Sequence, residues 1–202
     1  MGSLAVANDQ PVINVVGERV ALGPLRCDLV SLYRRWSNDF GTLRTLGNMP
    51  GPVPAEAMEA AYASAVAETD AVGFTIYERD GWRAIGTCAL VHIDERNRTA
   101  EFVIYIGEPA ARGQGYGTEA TRLTLDYAFT ALGLHSVLLQ VYAYNLAGIR
   151  TYQKVGFREI GRRRESHLMG GRLWDVILMD CLATEFVSPV LAAVFAPDQP
   201  RA

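Results

Sequence analysis

The chain has 202 residues, half of them hydrophobic, a length that allows one domain with a sizeable core and is short for two. Its formal net charge of −3 argues against a protein that neutralises many phosphates of a nucleic acid. Apolar runs fall short of the about 20 residues that a membrane helix needs, and polar residues interrupt the segment after Met1, so we expect a cytoplasmic protein with no membrane or nucleic-acid partner.

Hydrophobic periodicity and turn residues predict the elements of the first half of the chain. Two extended segments flank a Gly17-Glu18 turn, and Asp28 suits the start of the helix that follows. Glycines and prolines then predict a loop, an alanine-rich stretch predicts a second helix, and three strands come next. The predicted bounds are strands 12–16 and 20–25, helix 27–38, loop 41–54, helix 55–68, and strands 72–78, 83–93 and 99–106.

The second half begins with a pattern of period 3.6 that starts at Gly117 and stops at Gly133, which predicts the longest helix. A strand over 137–143, a helix over 146–155 and a hairpin of strands 157–167 and 172–182 follow. We therefore expect an α+β domain over 12–184, a three-layer α/β arrangement in which helices flank a mixed, mostly antiparallel sheet. Residues 1–11 are predicted to be flexible and 185–202 to form a partly mobile tail.

The glycine-rich segment from Arg112 to Gly117 lies between a predicted strand and the longest helix. Such a turn lets consecutive backbone N–H groups converge on an anion, and the helix N-terminus adds partial positive charge, which favours a pyrophosphate. A bare turn remains the alternative. The Gly-Lys-Ser/Thr of a P-loop is absent, and the segment falls too late in the chain for a dinucleotide-binding fingerprint.

Two motifs together resemble those of the GNAT acetyltransferase superfamily. The run from Arg112 to Gly117 is similar to the Gln/Arg-x-x-Gly-x-Gly/Ala coenzyme A signature, and the run from Asn145 to Phe157, with Tyr152 and Lys-x-Gly-Phe, resembles the second motif. The resemblance extends over about 20–181. It points to the branch of RimJ/RimL-type, spermidine and several antibiotic acetyltransferases, in which Gly148 departs from a common small hydroxyl residue.

The resemblance implies direct transfer from acetyl-CoA in a ternary complex. It implies that Tyr152 is the general acid, that Glu101 is the base, and that pantetheine pairs with the backbone of the strand after Glu101. A core tyrosine and a surface or positioning carboxylate remain the alternatives for these two residues, and a helix N-cap is an additional role for Asn145. The coenzyme A contacts implied are Ile104, Tyr105, Ile106, Arg112, Gly113, Gln114, Gly115, Tyr116, Gly117, Thr118, Asn145 and Tyr152.

For the acceptor, the resemblance implies a primary amine on a small molecule, of the polyamine or amino-antibiotic type, so a role in antibiotic resistance is one reading. A protein N-terminus or a non-catalytic acyl-CoA-binding module are the alternatives. Trp36 and Asp39 are assigned to the acceptor wall, although aromatics at helical spacing are more often core. The histidines and the three cysteines lack metal-ligand spacing, so no metal is predicted. A homodimer is also expected.

Overall fold

The protein was analysed as a computed structural model that describes residues 10–47 and 51–198. Its strands are β1 Val15–Val16, β2 Val20–Pro24, β3 Val72–Glu78, β4 Ala84–Asp94, β5 Thr99–Ile106, β6 Ser136–Tyr142, β7 Arg158–Met169 and β8 Arg172–Leu182. They form one sheet in the order β1-β2-β3-β4-β5-β6-β8-β7, in which β5 and β6 are parallel and the other neighbours are antiparallel. The mixed, mostly antiparallel sheet confirms the predicted fold class.

Helices cover both faces of this sheet. They are α1 Val30–Ser37, α2 Phe40–Leu43, α3 Ala55–Ala67, α4 Tyr116–Asp126, α5 Leu146–Val155 and α6 Leu191–Val194. On one face α4 contacts β2, β4, β5 and α5, and on the other α3 contacts α1 and β3. Adjacent residues of β3 show the division, because Ile76 belongs to the main core and Tyr77 to a second cluster with Trp36. The result is a three-layer domain.

The parallel pairing of β5 with β6 ends early. Thr99, Ala100 and Glu101 lie opposite residues 136–138, whereas the two strands continue to Ile106 and Tyr142. Beyond Glu101 the strands separate, so the edge of β5 that would face β6 has no strand partner there. Such an edge can pair with an extended ligand.

Three elements differ clearly from the sequence prediction, and the first of them is the strand predicted over 12–16, which is shortened to Val15–Val16. The predicted loop 41–54 contains the four-residue helix α2, because the Asp39 carboxylate accepts hydrogen bonds from the amides of Gly41 and Thr42 and so caps it. The predicted helix 117–133 is regular only through Asp126 and continues as a π-helical turn, Tyr127–Ala131, before Gly133 at φ 65°.

The C-terminal segment is attached to α4 by a buried carboxylate. Asp126 accepts hydrogen bonds from the amides of Val190 and Leu191, at 3.0 and 2.8 Å, at the start of α6. The described part of the tail, through residue 198, therefore packs on the domain at this point. The N-terminal segment 1–11 falls almost wholly outside the described residues. No helix within 10–47 and 51–198 is long and apolar enough to span a membrane.

Candidate active site

A cavity of about 540 Å³ opens where β5 separates from β6. Its walls come from the end of β5, the glycine loop, α5 and the start of the loop after α2. The residues implied for coenzyme A that line it are Ile104, Tyr105, Ile106, Arg112, Gly113, Gly115, Gly117, Thr118, Asn145 and Tyr152. Five other residues assigned to the site lie outside its lining: Gln114, Tyr116, Glu101, Trp36 and Asp39.

The glycine loop carries a row of backbone donors, and its glycines at 113, 115 and 117 line this cavity. The amides of residues 113–117 donate to no protein acceptor in the described part of the chain, whereas the Arg112 amide donates to the Pro109 carbonyl at 3.2 Å. Positive φ angles at Gly113 (71°) and Gly115 (86°) give the loop its shape, and both angles favour glycine. The loop leads directly into α4, whose N-terminus adds positive potential. The arrangement fits a phosphate or pyrophosphate.

The side chain of Arg112 holds protein groups together rather than pointing free into the cavity. Its guanidinium donates to the Ile106 and Gly107 carbonyls, and also to the carboxylate of Asp39 at 2.9 Å. Hydrogen bonds from Arg112 and Thr42 lower the pKa of Asp39 to about 2. Arg112 therefore ties the start of α2 to the end of β5.

The cavity is also lined by three cationic side chains that were not predicted to belong to the site. Arg150 and Lys154 are one turn apart on α5, and Arg44 follows α2. None of the described residues in the lining is an aspartate or a glutamate. The i, i+4 spacing of Arg150 and Lys154 is the sequence signal that could have placed both side chains on one face of α5. The cavity is thus suited to a multiply charged anion.

Tyr152 is partly buried and lines this positively charged cavity. Its ring packs edge-on against Phe102 and Phe157, with centroids 6.5 and 5.8 Å away. Burial raises the pKa of its hydroxyl to about 12. Within the described residues that hydroxyl has no hydrogen-bond partner. A protonated phenol is therefore available to a ligand in the cavity.

The departure at Gly148 has a steric explanation in the structure. The side chain of Asn145 caps α5 by accepting a 3.0 Å hydrogen bond from the Gly148 amide. A Cβ atom at position 148 would lie 2.6 Å from the Asn145 side-chain nitrogen. The small hydroxyl residue common in this position would collide with the cap as it stands here.

Glu101 lies outside the large cavity, at the last position of β5 that pairs with β6. Its carboxylate accepts a hydrogen bond from the Gln140 amide at 3.3 Å and is 3.6 Å from Nδ1 of His92. It therefore stands where the strands begin to separate, and both of its oxygens have neighbours.

Trp36 is 1% exposed and lies behind the cavity wall. Its indole N–H donates to Glu108 at 2.8 Å, and its ring meets that of Tyr105 edge-on at 6.1 Å. Trp36 thus supports the Tyr105 ring, and Tyr105, not Trp36, lines the cavity.

The remaining groups that could carry other chemistry lie outside the lining of the large cavity. Among residues 10–47 and 51–198, no three histidine, cysteine or acidic side chains form a group able to hold a metal ion. Burial raises the pKa of the Cys88 and Cys181 thiols to about 12 and about 11, so neither thiol is a ready nucleophile.

The chain is similar to known acetyltransferases. The family model of the acetyltransferase (GNAT) domain matches residues 19–158. The spermidine N(1)-acetyltransferase of Vibrio cholerae is 35% identical over 104 residues, 52% of this chain but only 60% of that protein. The human alpha/beta-tubulin-N-acetyltransferase 9 is 28% identical over 159 residues, 72% of this chain and 75% of that protein. A crystal structure of the Vibrio cholerae spermidine N-acetyltransferase with CoA and spermine has a TM-score of 0.78 at 25% identity, over 84% of this chain and 98% of that one.

Proposed function

The chain belongs to the GNAT acetyltransferase family, and we propose that it transfers the acetyl group of acetyl-CoA to the primary amine of a small molecule. One observation carries the proposal: a cavity lined by free backbone amides, by cations and by the partly buried, protonated Tyr152 lies beside the edge of β5 that has no strand partner. This cavity would bind the acyl donor, acetyl-CoA. Glu101 provides a carboxylate near the point where the acceptor amine would approach.

The residues of the cavity fit coenzyme A along its length. The amides of residues 113–117 suit the pyrophosphate, and Arg150 and Lys154 supply positive charge for the remaining phosphate. Pantetheine would lie along the edge of β5 at Ile104 to Ile106, where β6 has moved away. Bound in this way, acetyl-CoA supplies an activated acyl group as its thioester.

Two side chains, Glu101 and Tyr152, then each transfer one proton. The amine must lose a proton to become nucleophilic, and we assign this step to Glu101 acting through water. Attack by the neutral amine forms the new C–N bond as the C–S bond breaks, and Tyr152 gives its proton to the departing thiolate. The protons balance over the cycle. The ammonium group loses one proton to Glu101 before attack and a second from its nitrogen to solvent as the amide forms, and Tyr152 regains from solvent the proton that it gave to the thiolate, so one proton is released overall.

The proposal predicts that purified protein releases free coenzyme A thiol from acetyl-CoA only when a primary amine is added. A tertiary amine of similar shape is the matched control, because it has no N–H to lose and cannot give a stable amide. Thiol release would be followed with a colorimetric thiol reagent. Tight binding of acetyl-CoA without release by any amine would instead support the non-catalytic module.

We expect the replacement Glu101→Gln to lower kcat/KM for the amine by about 10- to 30-fold. This is less than the about 10²- to 10⁴-fold typical of a direct base, because an intervening water can pass its proton elsewhere. Asp180→Asn is the matched control, since Asp180 lies on the same face of the sheet but two strands away, opposite Leu138. Equal losses in the two variants would mean that general surface charge, not base catalysis, is responsible.

A protein N-terminus is the second candidate acceptor. It is favoured by the similarity to the human tubulin N-acetyltransferase, whose alignment covers more of this chain than that of the spermidine enzyme. Short peptides with free N-termini belong in the same thiol-release assay, and faster release with peptides than with any small amine would favour this candidate.

A further inference from the structure

A second cavity, of about 250 Å³, lies against the same stretch of β5 as the first. It shares Ile104 and Tyr105 with the large cavity, so these two residues lie between the cavities. Its full lining is Leu46, Thr87, Cys88, Ala89, Val103, Ile104 and Tyr105. An acceptor held here would stand next to a thioester laid along β5.

The second cavity lies mainly on the sheet face turned away from α4. Val103 and Tyr105 are on one side of β5, opposite Ala89 and Thr87 of β4. Cys88, between those two, contacts Thr124 of α4 on the other face, at 3.2 Å. The cavity therefore approaches the shared residues of β5 from the side opposite the main core.

Leu46 closes this cavity from the loop after α2. That loop is fixed to the end of β6, because the Tyr144 hydroxyl donates to the Arg44 carbonyl at 2.5 Å. A wall held by such a contact is largely formed before any acceptor arrives.

The second cavity lacks the charges that a polycation needs. None of its described lining residues is a carboxylate, and Arg44 is the single charged residue in the whole segment 40–54 of the sequence. Two acidic residues nearby in the chain are already engaged, Asp39 with Arg112 and Glu108 with Arg35. Glu101 is on the same side of β5, two residues before Val103, about 7 Å along the strand. One carboxylate can serve one ammonium group.

We propose, on the basis of the function proposed above, that the acceptor is a small amine with a single positive charge and an apolar body that occupies this second cavity. The amino group would stand at the shared residues Ile104 and Tyr105, on the side of Glu101, with the apolar body beneath Leu46. A polyamine would have to bury additional ammonium groups against uncharged walls, which is costly. The volume is also below the about 300–1,000 Å³ usual for drug-sized ligands, so a large amino-antibiotic does not fit.

The test compares 2-phenylethylamine with spermidine as acceptors in the thiol-release assay, at one pH and with saturating acetyl-CoA. We expect kcat/KM to be at least about tenfold higher for 2-phenylethylamine. A higher value for spermidine would overturn this inference and leave the proposed function intact. Failure of every amine and peptide to release thiol, with acetyl-CoA binding retained, would overturn both.

A carboxylate introduced into the cavity should reverse the selectivity. Val103→Asp places one on the lining at a side chain that is 41% exposed, so the fold should tolerate it. We expect the spermidine to 2-phenylethylamine ratio of kcat/KM to rise about tenfold. Leu46→Asp tests the same point from the opposite wall if the first variant folds poorly.

Leu173→Asp is the matched control, because Leu173 is 50% exposed on β8 and outside both cavities. It adds the same charge and should leave the ratio unchanged. An equal rise in the control, or no rise in either cavity variant, would contradict the assignment of the acceptor to this cavity.

Discussion

Replacing Gly115 with valine is expected to weaken acetyl-CoA binding by at least about 100-fold. Gly115 has φ 86°, a conformation that a β-branched residue rarely adopts, and a Cβ there would lie 3.5 Å from the guanidinium of Arg19. The loop must change shape to accept valine, which moves the amides of residues 113–117 away from the phosphates. Losing two charge-assisted hydrogen bonds accounts for a change of this size.

Isothermal titration calorimetry with coenzyme A measures this loss, and circular dichroism checks the fold. Gly170→Val is the matched control, because Gly170 also has positive φ, 60°, but lies in the β7–β8 turn with open space around it. It imposes similar backbone strain far from the cavity and should leave affinity unchanged. A folded Gly115→Val protein with undiminished affinity would remove the glycine loop from the coenzyme site.

Replacing Tyr152 with phenylalanine is expected to lower kcat by about 100-fold while coenzyme affinity and fold are retained. The change deletes the hydroxyl and keeps the ring packing against Phe102 and Phe157. General acid catalysis commonly raises a rate by about 10²- to 10⁴-fold. We expect the lower end of this range, because the thiolate of a thiol with a pKa of about 8.5 leaves fairly well without protonation. The loss should shrink with a donor whose thiol is more acidic.

The matched control is Tyr127→Phe, which deletes a hydroxyl from a ring packed on Phe74, away from both cavities. Comparing two acyl donors of different thiol acidity then separates proton donation from positioning. Losses of equal size with both donors would indicate positioning, and full activity with both would return Tyr152 to a packing role.

The pH dependence of kcat follows from the same tyrosine. Because burial raises the pKa of Tyr152 to about 12, the hydroxyl keeps its proton through the neutral and mildly alkaline range. Deprotonation at higher pH would remove the donor, so Tyr152 should cause no alkaline decline of kcat below about pH 11.

The family and the order of most elements could be predicted from the sequence, because two motifs and strong periodicity mark them. The match of the family model to residues 19–158 confirms the resemblance. The short helix α2 was missed because four residues carry no helical period, and its existence depends on the Asp39 cap.

The functions of individual side chains were harder to predict, since they depend on contacts between residues distant in sequence. Arg112 carries the coenzyme motif, yet its guanidinium binds Asp39, 73 positions earlier. The second cavity likewise joins Leu46 to β4 and β5, a combination that no local pattern indicates. Only the folded sheet brings these groups together.

Direct acetyl transfer is tested by following the acetyl group itself. Protein, ¹³C-acetyl-labelled acetyl-CoA and a primary amine would be incubated together. The masses of the amine product and of the intact protein would then be measured by mass spectrometry. Direct transfer predicts one labelled acetyl group on the amine nitrogen, in equal amount to the coenzyme A released, and none on the protein. Unlabelled amine after coenzyme A release, or a labelled acetyl group retained on the protein, would contradict direct transfer.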